Sequence, residues 1–227
     1  MKQLIYVPII HMSADLGSIA KQVDKRGVAD LGEEFWKKHR ETVSVFWDVI
    51  AKYFADSSDV GGYKIYQDGM VGDGEVGQMI VEGGIKAGSK NYEVINDLLA
   101  RGAVLVQTED FSLVKKERDY IVKITKAKTI TQKIIAYLWY VFNKSGLLKK
   151  RDEYIVKKIE DTLNHGETGI LFMGAYHNII PKLPKGLLVT EVKDVKKVRD
   201  YQRLLLRYSA NKEEFEALAK YLVSPIK

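Results

Sequence analysis

The chain has 227 residues, of which 46% are hydrophobic and 29% are charged, and its formal net charge is +6 at pH 7. This length allows one sizeable core, and this composition is typical of a globular protein and not of a disordered one. Cysteine is absent, which excludes disulfides, cysteine zinc sites and a thiol nucleophile and fits a reducing compartment. No linker divides the chain, so we expect a single domain over residues 1–227, located in the cytoplasm.

Charge is distributed unevenly along the chain. Residues 115–158 hold 13 Lys/Arg and 4 Asp/Glu, a balance of +9, whereas residues 28–114 hold 8 and 15, a balance of −7. A basic segment can attract phosphates, but the solvated face of a lysine-rich helix is the more common explanation. We therefore do not expect nucleic acid as a partner. The apolar run Ile130–Phe142 is shorter than the roughly 20 residues of a membrane span, so we expect no span.

The first half of the chain alternates strand and helix patterns. Leu4–Ile10 is continuous, apolar and largely β-branched, which predicts a buried strand. An apolar stripe at spacings of three and four predicts a helix over 30–55. A second strand is predicted at 63–67, followed by a glycine-rich turn. Ser89 then caps a helix that ends before Gly102.

The second half continues the alternation. A third strand is predicted at 103–107, followed by a basic helical stretch that breaks near 143–146. An amphipathic helix over 151–163 precedes a fourth strand at 169–173. The remaining predicted elements are a strand at 187–190 and helices at about 195–208 and 211–222.

This alternation predicts an α/β fold with a mostly parallel sheet of about five strands and helices on both faces. Ligands of such sheets bind outside the carboxyl ends of the strands. Polar residues that follow a strand are therefore the first candidates for a site.

Each of the first four predicted strands ends on or near a histidine or a carboxylate. His11 and Asp68 directly follow the first two strands, Glu109 and Asp110 come just after the third, and His177 follows the fourth by three residues. Imidazole and carboxylate ligands suit Zn²⁺, Mn²⁺ or Fe²⁺, and such a metal activates water for attack on an amide or ester. The alternative is that these are ordinary polar loop residues.

Three further features are interpreted structurally. Gly72–Gly77 matches the dinucleotide pattern G-x-G-x-x-G, but its two acids oppose a pyrophosphate. We expect an exposed, mobile loop there that acts as a lid. His39 lies on the apolar stripe of a helix, which indicates a hydrogen-bonded core histidine, and His165 is expected at an exposed helix end.

Two motifs resemble the TraB family and its relatives, the Tiki-type proteases and, more remotely, ChaN-like and erythromycin-esterase-like proteins. The C-terminal match runs from Arg151-Asp152 on a helix through a strand into Gly174-Ala175-Tyr176-His177, which is similar to the family's G-x-x-H motif. The N-terminal match is Pro8-Ile9-Ile10-His11 with Ser18 downstream. Pro8 stands where the family has glycine, and Gln67-Asp68 replaces its second-strand glutamate.

Some members of this family are metal-dependent peptidases that use two histidines with acidic residues. The resemblance implies that His11 and His177 are metal-binding or catalytic. A carboxylate from Asp68 or Glu109 would complete the site, and our predicted metal ligands are His11, His177 and Asp68 for a divalent metal, Mn or Zn. The resemblance also implies that Glu109, Asp68 and Arg151 act in catalysis on a peptide or small-molecule substrate. Arg151 would position an anionic group; its alternative role is an ion pair with Asp152.

A second function remains open at this point. The same cleft could serve a non-catalytic module that binds a small ligand, haem or an anion. Metal content discriminates the two hypotheses, because the hydrolase needs a metal with an open coordination position and an anion-binding module does not.

Overall fold

A computed structural model describes residues 1–15, 20–57, 59–127, 129–205, 207–208 and 211–226, so Ser18 lies outside the described residues. Its five strands form one all-parallel sheet in the order β3-β2-β4-β1-β5, which confirms the predicted fold class. The strands are β1 (Lys2–Ile9), β2 (Lys64–Gln67), β3 (Val104–Val106), β4 (Thr168–Gly174) and β5 (Leu187–Glu191).

Eight α-helices are found among the described residues. They are α1 (Ala20–Leu31), α2 (Glu33–Ala55), α3 (Gly74–Lys86), α4 (Lys90–Ala100), α5 (Phe111–Lys126), α6 (Ile130–Thr162), α7 (Val195–Leu205) and α8 (Lys212–Leu222). Within the described ranges, no helix combines the length and the apolarity that crossing a membrane would require.

Helices cover both faces of the sheet, as predicted. The five central residues of β4 are buried without alternation, which is typical of a strand with packing on each side. Phe172 faces α2, where its ring centroid lies 5.9 Å from that of Phe54. On the other face Gly169 lies against Leu163, at the end of α6. The carboxyl edge of the sheet therefore lies between two helical layers.

Two predicted helix boundaries are wrong. The helix predicted over 30–55 is divided at Gly32, whose φ of 85° ends α1 and precedes α2. The break predicted near 143–146 does not occur, because α6 is continuous from Ile130 to Thr162. A glycine in a helix costs only about 1 kcal/mol relative to alanine, so Gly146 does not end a helix of 33 residues.

Residues 73–76 are exposed, as predicted, but the prediction that Gly72–Gly77 forms a loop is wrong. Gly74 begins α3, and Gly77 is buried inside its first turns. A Cβ added at Gly77 would lie 2.7 Å from Cδ2 of Leu105 on β3. Gly77 therefore allows α3 to approach the sheet closely.

Replacing two adjacent glycines of α3 with alanine, one at a time, should change the free energy of unfolding in opposite directions. Gly84→Ala should lower the free energy of unfolding by about 1–3 kcal/mol, because the new Cβ would overlap the Tyr92 ring. Gly83→Ala meets no atom within 4 Å and should raise that free energy by about 0.4–1 kcal/mol. Urea denaturation of both variants measures the difference. Equal effects would contradict the close packing of α3 on α4.

Candidate functional site

The predicted strand ends meet at one edge of the sheet. The Asp68 backbone N–H donates to the carbonyl of Phe172 at 2.9 Å, which places the end of β2 beside the end of β4. Asp68 Oδ2 lies 4.0 Å from His11 Nε2 and 3.7 Å from His177 Nε2. The prediction that both histidines lie beside Asp68 is therefore confirmed.

Asp152, which the sequence suggested as an alternative partner of Arg151, holds His177 in one orientation. The Nδ1 atom of His177 lies 2.7 Å from Oδ1 of Asp152. Oδ2 of Asp152 accepts from the Asn178 backbone N–H at 3.2 Å and from Lys182 Nζ at 2.7 Å. This arrangement leaves His177 Nε2 on the side of Asp68, as in metal sites where a carboxylate orients a ligating histidine.

Arg151 binds three carboxylates. Its guanidinium donates to both oxygens of Glu109, with Nε at 2.6 Å from Oε2, and to Asp68 Oδ1 at 2.7 Å. Its Nη1 donates to Glu117 on α5, a partner that sequence reasoning missed. The alternative ion pair with Asp152 is wrong, since among the described residues that carboxylate binds His177 and Lys182 instead.

Burial and charge shift the pKa values of these groups in different directions. Burial raises the pKa of Asp68, but the nearby positive groups His177 and Arg151 outweigh it and hold that pKa well below its usual range. Burial raises the pKa of Glu109, and the charge of Asp68 opposes the lowering by Arg151. Burial lowers the pKa of His177, but Asp68 and Asp152 outweigh it, so the net shift is upward. Asp68 therefore stays charged at neutral pH.

The cluster carries excess negative charge when its carboxylates are ionised and its histidines are neutral. The five carboxylates and two cations are Asp15, Asp68, Glu109, Glu117, Asp152, Arg151 and Lys182. Their balance is −3, which either two imidazolium ions or one divalent cation would reduce to −1. An anion is disfavoured here, because Arg151 already uses all three of its nitrogens on carboxylates.

His11 forms the accessible side of the site, with 42% of its side chain exposed. Its Nδ1 lies 3.8 Å from Oδ2 of Asp15, which is fixed by the Met12 backbone N–H and the Ser89 hydroxyl. Partial burial lowers the pKa of His11, but the carboxylates of Asp15 and Asp68 outweigh it and raise it. The roles of Asp15 and Ser89 were not predicted from the sequence.

Gly174 leaves space between the three principal side chains. A Cβ added there would lie 2.9 Å from Asp68 Oδ2, 3.6 Å from His177 Cδ2 and 4.0 Å from His11 Nε2. Gly174 is not among the glycines with positive φ, so backbone conformation does not require glycine at this position. Its missing side chain allows the Asp68 carboxylate to lie close to this strand end, near both imidazoles.

Bonds of 2.0–2.1 Å in a tetrahedron place ligand atoms about 3.3 Å apart, compared with 3.7 and 4.0 Å from Asp68 to the two histidines. Among the described residues, the group whose ligand atoms all lie within 4.8 Å of one another is Asp68, Glu109 and His177, and His11 is not part of it. A metal held by both histidines therefore requires the His11 side chain to move closer to His177. Glu109 is the less available ligand, because Arg151 and the Gly69 N–H already bind its oxygens.

The remaining candidates lie outside the site. Asp110 is the N-cap of α5 and accepts from the backbone of Ser112 and Leu113. His39 is a core histidine, as predicted: its Nδ1 lies 2.9 Å from the Tyr201 hydroxyl, and burial lowers its pKa to about 4. His165 is exposed in the turn after α6, as predicted.

Comparisons with protein-family models, with curated proteins and with solved structures find no match to this chain. The fold and the site define it as a parallel α/β protein with a histidine–carboxylate cluster at the carboxyl edge of its sheet. The TraB resemblance remains a prediction that rests on the two motifs.

Proposed function

We propose that this chain is a TraB-like, metal-dependent hydrolase that cleaves an amide or ester bond in a peptide or small molecule. His177, Asp68 and His11 would bind the divalent metal, Mn or Zn. The observation that carries this proposal is the geometry of His177. Asp152 fixes its Nδ1, while its Nε2 lies 3.7 Å from Asp68 Oδ2, beside Gly174.

Three protein ligands with one accessible side favour a catalytic metal site over a closed structural one. Structural zinc sites use four protein ligands, whereas catalytic sites keep a position for water or substrate. The exposed face of His11 provides such access. A metal bound there would lower the pKa of its water to about 7, which supplies the nucleophile.

The other side chains of the cluster hold the ligands in place. Arg151 fixes Oδ1 of Asp68, and the Gly174 backbone N–H donates to Oδ2 of the same carboxylate at 3.2 Å. Glu109 orients Arg151 through two hydrogen bonds. Arg151 and Glu109 therefore act in this proposal as positioning residues for Asp68. The Lys182 ammonium plays the equivalent role for Asp152.

Metal should raise the melting temperature of the wild-type protein, and His177→Gln should abolish most of that rise. A ligand at 100 times its Kd stabilises the folded state by about 2.7 kcal/mol, which is roughly 5–10 °C for a domain of this size. Glutamine keeps similar bulk but lacks the imidazole ligand. Scanning calorimetry with Mn²⁺, Zn²⁺ or chelator at pH 8 measures the effect, since protons compete with metal at lower pH.

His165→Gln is the matched control, because it removes an exposed histidine outside the site and should keep the full metal response. Metal-loaded wild type should also hydrolyse members of a peptide and ester library, and His177→Gln should not. A wild type whose melting temperature ignores every divalent metal would refute the proposal.

A further inference from the structure

A cavity of about 160 Å³ opens beside His11, on the side of α1 and α2. It lies outside the metal cluster, and His11 is the one proposed ligand among its lining residues. Its other principal lining residues are Met12, Val23, Asp24, Trp36, His39 and Val43. The cavity therefore extends from the accessible side of the site into an apolar region.

Hydrogen bonds and close packing hold the Trp36 wall in place. Its indole Nε1 donates to Asp24 Oδ1 at 3.0 Å, and the same oxygen accepts from the Ser13 hydroxyl at 2.7 Å. Gly27 of α1 packs directly against the indole, since any Cβ there would overlap the ring. These contacts fix the aromatic face without an occupant, so the cavity is preformed.

Two charged side chains, Asp24 and the exposed Arg40, line the cavity, and its other walls include Val43 and His39. Val43 is buried, and His39 is neutral near pH 7 because burial lowers its pKa to about 4. The Tyr201 hydroxyl holds Nδ1 of His39, and among the described residues Nε2 makes no hydrogen bond. The part of the cavity between Val43, Trp36 and His39 therefore suits an apolar group and offers it one imidazole nitrogen.

We propose that this cavity is the subsite that holds an apolar side chain of the substrate, of phenyl or isobutyl size. An apolar cavity of roughly 150 Å³ accommodates benzene, which matches the volume beside His11. Resting on the proposed function, this inference specifies the substrate class: an amide or ester with a phenylalanine- or leucine-like group next to the scissile bond.

Binding to the metal-free protein tests the subsite independently of catalysis. The probes are N-acetyl-phenylalanine methylamide and its glycine counterpart, titrated in chelator. The indole N–H of Trp36 in ¹H–¹⁵N spectra, assigned with Trp36→Phe, is the readout. We expect a saturable shift with the phenylalanine probe and at least about tenfold weaker binding of the glycine probe, as side-chain-sized differences give in apolar pockets.

Two variants change the volume of the cavity. Ala14→Leu adds bulk to the lining and should abolish the shift, whereas Ala87→Leu makes the same change at an exposed position and should preserve it. Val43→Ala enlarges the cavity and should favour a naphthylalanine probe over the phenylalanine probe.

The possible results separate the two proposals. Equal binding of both probes, or no response of Trp36 to any probe, overturns the subsite, and a metal-dependent melting temperature would then still support the hydrolase. A specific response to the phenylalanine probe without any metal response supports the cavity as a binding site and contradicts the hydrolase.

Discussion

Arg151→Met should lower the free energy of unfolding by about 3–5 kcal/mol, more than any other single substitution in the cluster. Glu109 has no solvent exposure, and its two oxygens accept hydrogen bonds from the guanidinium. Methionine retains much of the apolar bulk but leaves that carboxylate and Asp68 without their cation. The cost is therefore that of a buried, uncompensated charge.

The matched control is Arg26→Met, which breaks the Arg26–Asp30 pair between side chains that are 81% and 54% exposed and should cost less than about 1 kcal/mol. Adding Glu109→Gln to Arg151→Met should recover part of the loss, because it removes the stranded charge. Urea denaturation of the four proteins measures these differences. If Arg151→Met costs no more than Arg26→Met, the buried ion cluster is not present in solution.

The sheet could be predicted because its strands are buried on both faces. β1 and β4 are continuous apolar runs, which a single sequence displays directly. The sequence pattern did not predict helices α1 and α3, because both contain glycine, which lowers helix propensity. Tertiary contacts require glycine in both: Gly27 packs against Trp36, and Gly77 packs against Leu105. Such contacts between distant segments leave no periodic signal in the sequence.

The sequence predicted the site residues that follow strands but not the partners that hold them. His11, Asp68 and His177 follow strands, and parallel strands bring their carboxyl ends together in any such fold. The partners of these residues come from helices whose crossing positions the sequence does not specify. Arg151 and Asp152 show this, since neighbouring positions on α6 differ by about 100° around the helix axis. Arg151 therefore reaches β2 and β3, while Asp152 reaches the loop after β4.

Gly174→Ala should weaken metal binding by at least about tenfold, the lower end of the effect of disturbing groups that orient ligands. The added Cβ would lie 2.9 Å from Asp68 Oδ2, so the carboxylate must turn away. It would then lose the Gly174 N–H at 3.2 Å and its position between the two histidines. This substitution removes no metal ligand, so any loss of affinity for the metal comes from the contact between the new methyl group and Asp68.

Isothermal calorimetry with Mn²⁺ and Zn²⁺ measures the affinity, and melting in chelator shows whether the variant folds. We expect Gly174→Ala to remain folded, because overpacking of this kind costs about 1–3 kcal/mol. Gly146→Ala on α6, where a Cβ meets no atom within 4 Å, should bind metal as the wild type does. Wild-type affinity in Gly174→Ala would show that the cation does not lie between His11, Asp68 and His177. Loss confined to Gly174→Ala would locate it there, because the two variants make the same chemical change and differ only in what the new methyl group contacts.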